Sequence, residues 1–253
     1  VVTTPSELFG LLIVIVVAVL LAAFSVLAAR RGFRPTLRPI SAYKAVPDQI
    51  GEAIESGGRV HVSVGSRGVV SERAMTVLMG LAFLDRVAEG SAISDHSPIG
   101  TTADATTLPL VADTLRRAYQ RSDMLDHLER TAPRLVALDS LALAAGVTDI
   151  IADENVQANI LVGSFGAEGV LITEAGMRHG LPQTMGSDLL TGQAVAYATA
   201  DHPLLGEELF MARAYLHEEA TALGSLAAQD ILRWVIIIAI IIGVALQTLA
   251  AIR

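Results

Sequence analysis

Two loops in this chain carry the same four-residue pattern, Gly65-Ser66-Arg67-Gly68 and Gly163-Ser164-Phe165-Gly166, each directly after an apolar run. Glycine lets backbone N–H groups come close to an anion, and a helix that follows adds the positive end of its dipole. Three further clusters fall at comparable points: Thr101-Thr102-Ala103-Asp104, Asp139-Ser140 and Glu168. In such a site Arg67 would grip an anionic group bidentately, and Asp104 would orient a water or bind a cation. Ser66, Thr102 and Ser164 would add hydroxyls, and Gly65, Gly68, Thr101, Gly166 and Glu168 complete the candidate set for a small-molecule or phosphate ligand. The competing explanation is structural. Gly and Ser turn strands into helices, while Asp104, Asp139 and Ser140 cap those helices. It is the favoured one, because neither loop matches a dinucleotide fingerprint or a Walker sequence.

No catalytic residue is assigned. Gly163 directly precedes Ser164, whereas a nucleophile elbow needs Gly-x-Ser-x-Gly. A triad of Ser164, Asp201 and His202 has nothing to place its members together. The six histidines, His61, His96, His127, His179, His202 and His217, include no pair spaced i, i+4, and the chain has no cysteine. Neither a metal site nor a cofactor is expected from such a set. Asp95-His96 and Asp201-His202 read as surface turns, and Glu207-Glu208 and Glu218-Glu219 as solvated helix faces.

The elements that must position these loops alternate between strand and helix. Residues 59–64 alternate like a strand, stopped by Gly65. A short helix is expected after Pro47, ending at Gly57-Gly58, and another from Ser71-Glu72 to about Glu89. A short apolar segment at Pro98-Ile99 precedes a helix over about 107–121. Residues 134–138 and 159–162 read as strands, with a helix over 140–152 between them. Gly169-Val170-Leu171-Ile172 reads as a further strand and residues 195–199 as an edge strand. This pattern implies an α/β fold: a mostly parallel, Rossmann-like sheet with helices on both faces. The match between residues 62–68 and 160–166 raises the question of a duplicated half-domain, but four matched positions are too few to establish a repeat.

The ends of the chain are of a different character. No charged residue occurs from Leu8 to Ala29 or from Trp234 to Ile252. A helix of about 20 apolar residues crosses a bilayer, so two flanking transmembrane helices are expected, within residues 1–29 and 234–253. Arg30, Arg31, Arg34, Arg38 and Lys44 follow the first span, and only Glu7 precedes it. Basic residues mark the cytoplasmic flank, which puts both termini outside the inner (plasma) membrane and the central domain in the cytoplasm. A cleaved signal peptide fits less well, since its apolar core is shorter and follows basic residues. Residues 30–45 read as a basic linker against anionic lipid, residues 46–203 as the α/β domain, and residues 204–233 as a helical connector.

Five of the 18 basic residues but only one of the 26 acidic ones lie in residues 1–44, so the remainder carries a formal charge of −12. Such a body is a poor partner for nucleic acid, which needs clustered Lys and Arg. Neither span contains a buried charge that would serve an ion or proton pathway.

The strings Val46-Pro47-Asp48-Gln49-Ile50-Gly51-Glu52-Ala53-Ile54-Glu55-Ser56-Gly57, Val60-His61-Val62-Ser63, Thr101-Thr102-Ala103-Asp104, Val162-Gly163-Ser164-Phe165-Gly166 and Tyr197-Ala198-Thr199-Ala200-Asp201-His202-Pro203-Leu204 together resemble an uncharacterised family of bacterial membrane proteins. The resemblance covers most of residues 46–233. It implies an α/β domain of unknown function with flanking membrane helices, and no catalytic residue. Two functional expectations follow. The first is a membrane-anchored, non-enzymatic scaffold that forms homo-oligomers, because tethering raises effective concentration. The second is a small-molecule-binding or hydrolytic domain with its site on the strand-end loops.

Overall fold

Alternation along Arg59–Gly65 does produce a strand, but one buried on both sides: Val60, Val62 and Val64 face one layer of helices, and His61 and Ser63 are buried as well. The computed structural model describes residues 5–31 and 37–252, in two compact units, Val1–Arg38 with Glu218–Arg253 and Pro39–His217. Arg34 in the expected linker, the first four residues of the expected first span and the terminal Arg253 lie outside the described residues.

In the first unit, α1 (Pro5–Arg31) packs along α9 (Ala220–Ile252). Apolar side chains from Leu8 to Val26 and from Trp234 to Val244 stand exposed along both helices. Among the described residues, Ala220–Ala245 is the one stretch long and apolar enough to cross a membrane, and the apolar stretch Gly10–Phe24 within α1 is shorter.

The second unit begins with α2 (Ser41–Glu55), then β1 (Arg59–Gly65), α3 (Ala74–Ser91), β2 (Ile99–Thr102), α4 (Leu108–Arg121) and β3 (Pro133–Leu135). Then follow α5 (Ser140–Asp153), β4 (Val156–Ser164), α6 (Gly169–Arg178), β5 (Gln183–Ser187), α7 (Leu190–Thr199), β6 (His202–Leu204) and α8 (Ala212–Leu216). All six strands are parallel, in the order β3-β2-β1-β4-β5-β6. This is the doubly wound, Rossmann-like arrangement, whose order reverses between β1 and β4. One core lies between the sheet and α2, α3, α4 and α8, around Val62, Phe83, Leu115 and Ile160. The other lies between the sheet and α5, α6 and α7, around Ile99, Leu143, Leu161 and Met185.

Several elements differ from their expected form. Helix α2 starts at Ser41, with Pro47 inside it, not at its first turn. The cause is tertiary. Tyr43 stacks on Phe83 and Tyr215 at centroid distances of 5.5 and 4.7 Å, and its hydroxyl donates to the Glu208 carbonyl. That burial offsets the ~3 kcal/mol a proline costs inside a helix. Gly169-Val170-Leu171-Ile172 opens α6 and is no strand: Ile172, Thr173, Ala175 and Gly176 are buried, whereas Val170 and Leu171 face outward, a helical period. Residues 195–199 belong to α7, where Gly192 and Ala196 face inward and Tyr197 is 74% exposed. The edge strand is instead β6, and Gln183–Ser187, which holds one large apolar side chain, is the unanticipated β5.

The match between residues 62–68 and 160–166 has a plain location: β1 and β4 open the two halves of the sheet and lie side by side, Val62 opposite Ile160 and Gly65 opposite Ser164. Their ends approach so closely that a Cβ on Gly163 would lie 2.3 Å from the Val64 carbonyl oxygen and 2.7 Å from the Gly65 nitrogen. Gly51, in α2, has open space around it. Gly163→Ala is therefore expected to cost about 1–3 kcal/mol, and Gly51→Ala to gain about 0.5–1 kcal/mol. Denaturant midpoints of the two full-length variants, followed by circular dichroism, check both signs.

Candidate functional site

In a sheet of this order, ligands bind outside the carboxyl ends of β1 and β4. The structure gathers there most of the residues singled out by sequence. Gly65 turns the chain with φ +87°, and a Cβ on it would lie 2.6 Å from the Ser164 nitrogen. The Ser66 amide and hydroxyl both donate to the Ser164 carbonyl, at 3.2 and 3.0 Å. The Gly65 carbonyl accepts from the Ala103 amide at 3.2 Å and the Thr102 hydroxyl at 3.4 Å. The two Gly-Ser-x-Gly loops are thus fastened to each other and to the end of β2.

Several backbone amides on this rim are already engaged within the fold. The Gly166 amide donates to the Glu168 carboxylate at 2.8 Å. The Phe165 amide donates to the Ser187 hydroxyl at 3.2 Å, and that hydroxyl donates to the Phe165 carbonyl at 2.7 Å. At the start of α4, Asp104 accepts from the Thr107 amide at 2.7 Å, the Thr107 hydroxyl at 2.9 Å and the Thr106 hydroxyl. Partial burial opposes ionisation of Asp104, but these hydrogen bonds outweigh it and hold the carboxyl below its ordinary pKa. Gly68 lies against this carboxylate, since a Cβ there would meet Asp104 Oδ2 at 2.4 Å. Asp104 and Glu168 thus accept amides beside the starts of α4 and α6 that an anion would otherwise compete for.

Three polar groups on this rim are not closed off in this way. Arg67 is exposed and has no hydrogen-bond or ion-pair partner among the described residues. Ser164 is wholly buried, and its hydroxyl has no partner among the described residues. Asp188, after β5, receives Arg73 Nη1 on Oδ2 at 2.6 Å, while its Oδ1 is buried without a partner among the described residues. Arg73 stands just before α3, so this ion pair links the loops after β1 and β5. Together with Glu72, Met75, Thr76 and Phe210, the pair lines a cavity of about 310 Å³. Sequence reading missed Asp188 and Arg73, because neither belongs to a motif.

Exposed apolar side chains recur at the same end of the sheet. Val70, Leu138 and Leu190 are 83%, 77% and 82% exposed, and Met75, Leu141, Val170, Leu171 and Phe210 are exposed beside the loop ends. Each of these residues lies in a carboxyl-end loop or in the first turn or two after one. Single exposed apolar residues need no explanation, but eight at one end of a sheet make that end the candidate interaction surface.

Thr101 lies elsewhere, below the rim, in a buried ladder that crosses the sheet. His61 Nε2 lies 2.9 Å from the Thr101 hydroxyl, and His61 Nδ1 lies 2.7 Å from Asn159 Oδ1. Asn159 Nδ2 donates to Gln183 Oε1 at 3.0 Å, and Gln183 Nε2 donates to the Thr173 carbonyl at 2.8 Å. A neutral imidazole protonated on Nδ1 satisfies the whole chain: Thr101 donates to Nε2, and Nδ1–H donates to Asn159. Burial lowers the His61 pKa to about 4, against the Asn159 hydrogen bond and with help from the Arg134 charge.

The paper triad does not assemble, since Ser164 ends β4 at its carboxyl edge whereas Asp201 and His202 lie at the amino edge of β6. Asp201 instead accepts the Gln183 amide at 2.9 Å. Among the described residues, no group of three or more His, Asp or Glu side chains could hold a metal ion.

The family described as "Domain of unknown function (DUF6754)" matches residues 4–253, and the chain belongs to it. No curated protein and no solved structure matches.

The ladder has a pH signature. Unfolded, His61 takes up a proton near its ordinary pKa of about 6.5; folded, it does so only near 4. Its contribution is therefore fully present above pH 6.5 and is lost as pH falls toward 4, by about 3 kcal/mol in total. Unfolding curves for wild type and His61→Gln should converge by that amount across this window. A gap independent of pH would show that His61 titrates normally in the fold.

Proposed function

We propose that this member of a family of unknown function is a membrane-anchored, non-enzymatic assembly module whose α/β units self-associate through their apolar carboxyl-end rim. The carrying observation is the rim itself. Several of the rim amides that could meet a ligand are engaged within the fold, at Thr107, Phe165 and Gly166 among others, while exposed Val, Leu, Met and Phe side chains recur along the same end of the sheet.

The energetics support association. Fully burying a side chain of this class contributes about 1.5–3 kcal/mol, and several such anchors compete with an association cost of about 4–15 kcal/mol. Tethering lowers that cost, because copies confined to a bilayer meet at high effective concentration. The anchoring is supported by the apolar surfaces of α1 and α9, which lipid would cover. The basic residues after the first apolar stretch favour a cytoplasmic α/β unit with both termini outside.

The competing reading is a small-molecule or phosphate site on the rim. It draws on the exposed Arg67 and the unpartnered Ser164 hydroxyl. A thermal-shift series of the full chain with nucleotides and sugar phosphates separates the two. A stabilisation that Arg67→Ala abolishes would favour the ligand site.

For self-association, light scattering of the full chain in detergent is the direct readout. Wild type is expected to be oligomeric at about 10 µM, and Leu190→Glu to weaken assembly at least tenfold, about 1.4 kcal/mol. A monomeric wild type at that concentration contradicts the proposal.

A further inference from the structure

On one side the sheet ends in an open edge. β3 borders β2 alone, and among the described residues no strand lies beyond it. The Ala132 carbonyl accepts from the Gly100 amide at 2.9 Å, and the Val136 amide donates to the Thr102 carbonyl at 3.2 Å, so both residues turn their backbone groups toward β2. Backbone direction alternates along an extended chain, which turns the N–H and C=O groups of Leu135 and Ala137 outward. Pro133 obeys the same alternation: the N–H it lacks would have pointed outward, where an edge strand does not need it. Leu135 and Leu138 are exposed along this segment. The opposite edge is blunted, because β6 has Pro203 at its centre and denies an added strand a donor there.

An open edge is its own complement. Two copies of β3 related by a two-fold axis through the sheet at Val136 pair antiparallel: Leu135 exchanges both hydrogen bonds with Ala137 of the second copy, and Ala137 with its Leu135. Like charge opposes any contact between two such bodies, since residues 45–253 carry a formal −12. Repulsion between exposed charges is largely screened beyond about 8 Å at physiological salt, so the charges at the contact decide. Between Thr131 and Leu141 these are Arg134 and Asp139, which balance. Arg134 is held by Glu154 at 2.8 Å, and Asp139 caps α5. A contact of backbone hydrogen bonds and leucines needs no added cation. An axis normal to the sheet also keeps α2, α3, α4 and α8 of both copies on one face. The chain enters the unit at α2 and leaves it after α8, so both ends belong to that layer, as tethering of two copies to one bilayer requires.

We infer that two copies of this chain join edge to edge through β3, their sheets becoming one. This surface is separate from the rim contact proposed above, and the two contacts together extend a dimer into a larger assembly.

The chain has no cysteine, so any disulfide joins introduced residues. At the axis the two Val136 residues form a non-hydrogen-bonded pair with Cα atoms about 4.5 Å apart, within reach of a disulfide. Leu138 is the more exposed position, but its two copies lie about 13 Å apart at about 3.3 Å per residue. Full-length Val136→Cys in detergent is expected to oxidise to a linked dimer at least tenfold faster than Leu138→Cys, an order opposite to their exposure. Adding Ala137→Pro, which removes an outward N–H that the fold does not use, should cut that linking at least tenfold, and Leu135→Lys should cut it as well. Because the contact is not ionic, linking should rise between about 0.05 and 0.5 M salt. Equal or faster linking of Leu138→Cys marks random collision and overturns the inference, as does linking that both edge variants leave intact or that salt suppresses. Adding Leu190→Glu separates the two surfaces. If it abolishes linking, the rim is the contact and the edge is not. If linking persists and Leu190→Glu leaves particle size unchanged, the edge stands and the rim reading falls.

Discussion

The contact between the ends of β1 and β4 governs the rest of the α/β unit. Gly163 rests against the Val64 carbonyl, Gly65 against the Ser164 amide, and Gly80 on α3 against the Val162 carbonyl, each closer than a Cβ would allow. Three backbones therefore meet where a looser sheet of this order would leave a crevice. That closeness lets Ser66 bond across to Ser164 and draws the loops after β1, β2 and β4 into one connected layer. Polar groups in that layer turn toward each other. Exposed Val, Leu, Met and Phe side chains, with the exposed Arg67 among them, are what this layer presents outward.

Much of this could be read from the residues. β1 and β4 were legible because their apolar runs end in glycine, and α3, α4 and α5 because of their period and caps, with Asp139 accepting from the Leu141 and Ala142 amides as a cap should. The repeated Gly-Ser-x-Gly was legible as a string, but its meaning depended on sheet order: adjacent strands opening two halves. The misreadings share a physical origin. Val170-Leu171-Ile172 is apolar, with two β-branched residues of three, yet Gly166 and Glu168 set a helix start immediately before it. β5 is buried through Gln183 and Thr184, whose polar side chains are satisfied by Asn159, Thr173 and Gln49, none of them near in sequence except Thr173.

The candidate site divides in the same way. Gly65, Ser66, Gly68, Thr102, Asp104, Ser164, Gly166 and Glu168 do meet at one edge, as strand-end positions must. What spacing could not show is that their hydrogen-bonding capacity is largely consumed within the fold. Nor could it show the Arg73–Asp188 link, which joins loops 115 residues apart in sequence. His61, which reads from sequence as one histidine among six, is instead the centre of a polar ladder that ties four strands' worth of side chains together beneath the rim.

On the proposal that α1 and α9 anchor the chain in a bilayer and that the rim joins copies, assembly gains from every additional copy in the same membrane. Hydrogen exchange of the full chain in nanodiscs loaded with one copy or with several tests this most directly. The account predicts that amides of residues 66–75 and 188–191 slow in multi-copy discs, while those at the amino edge of the sheet are unchanged. Rim exchange that is the same at both loadings would contradict it.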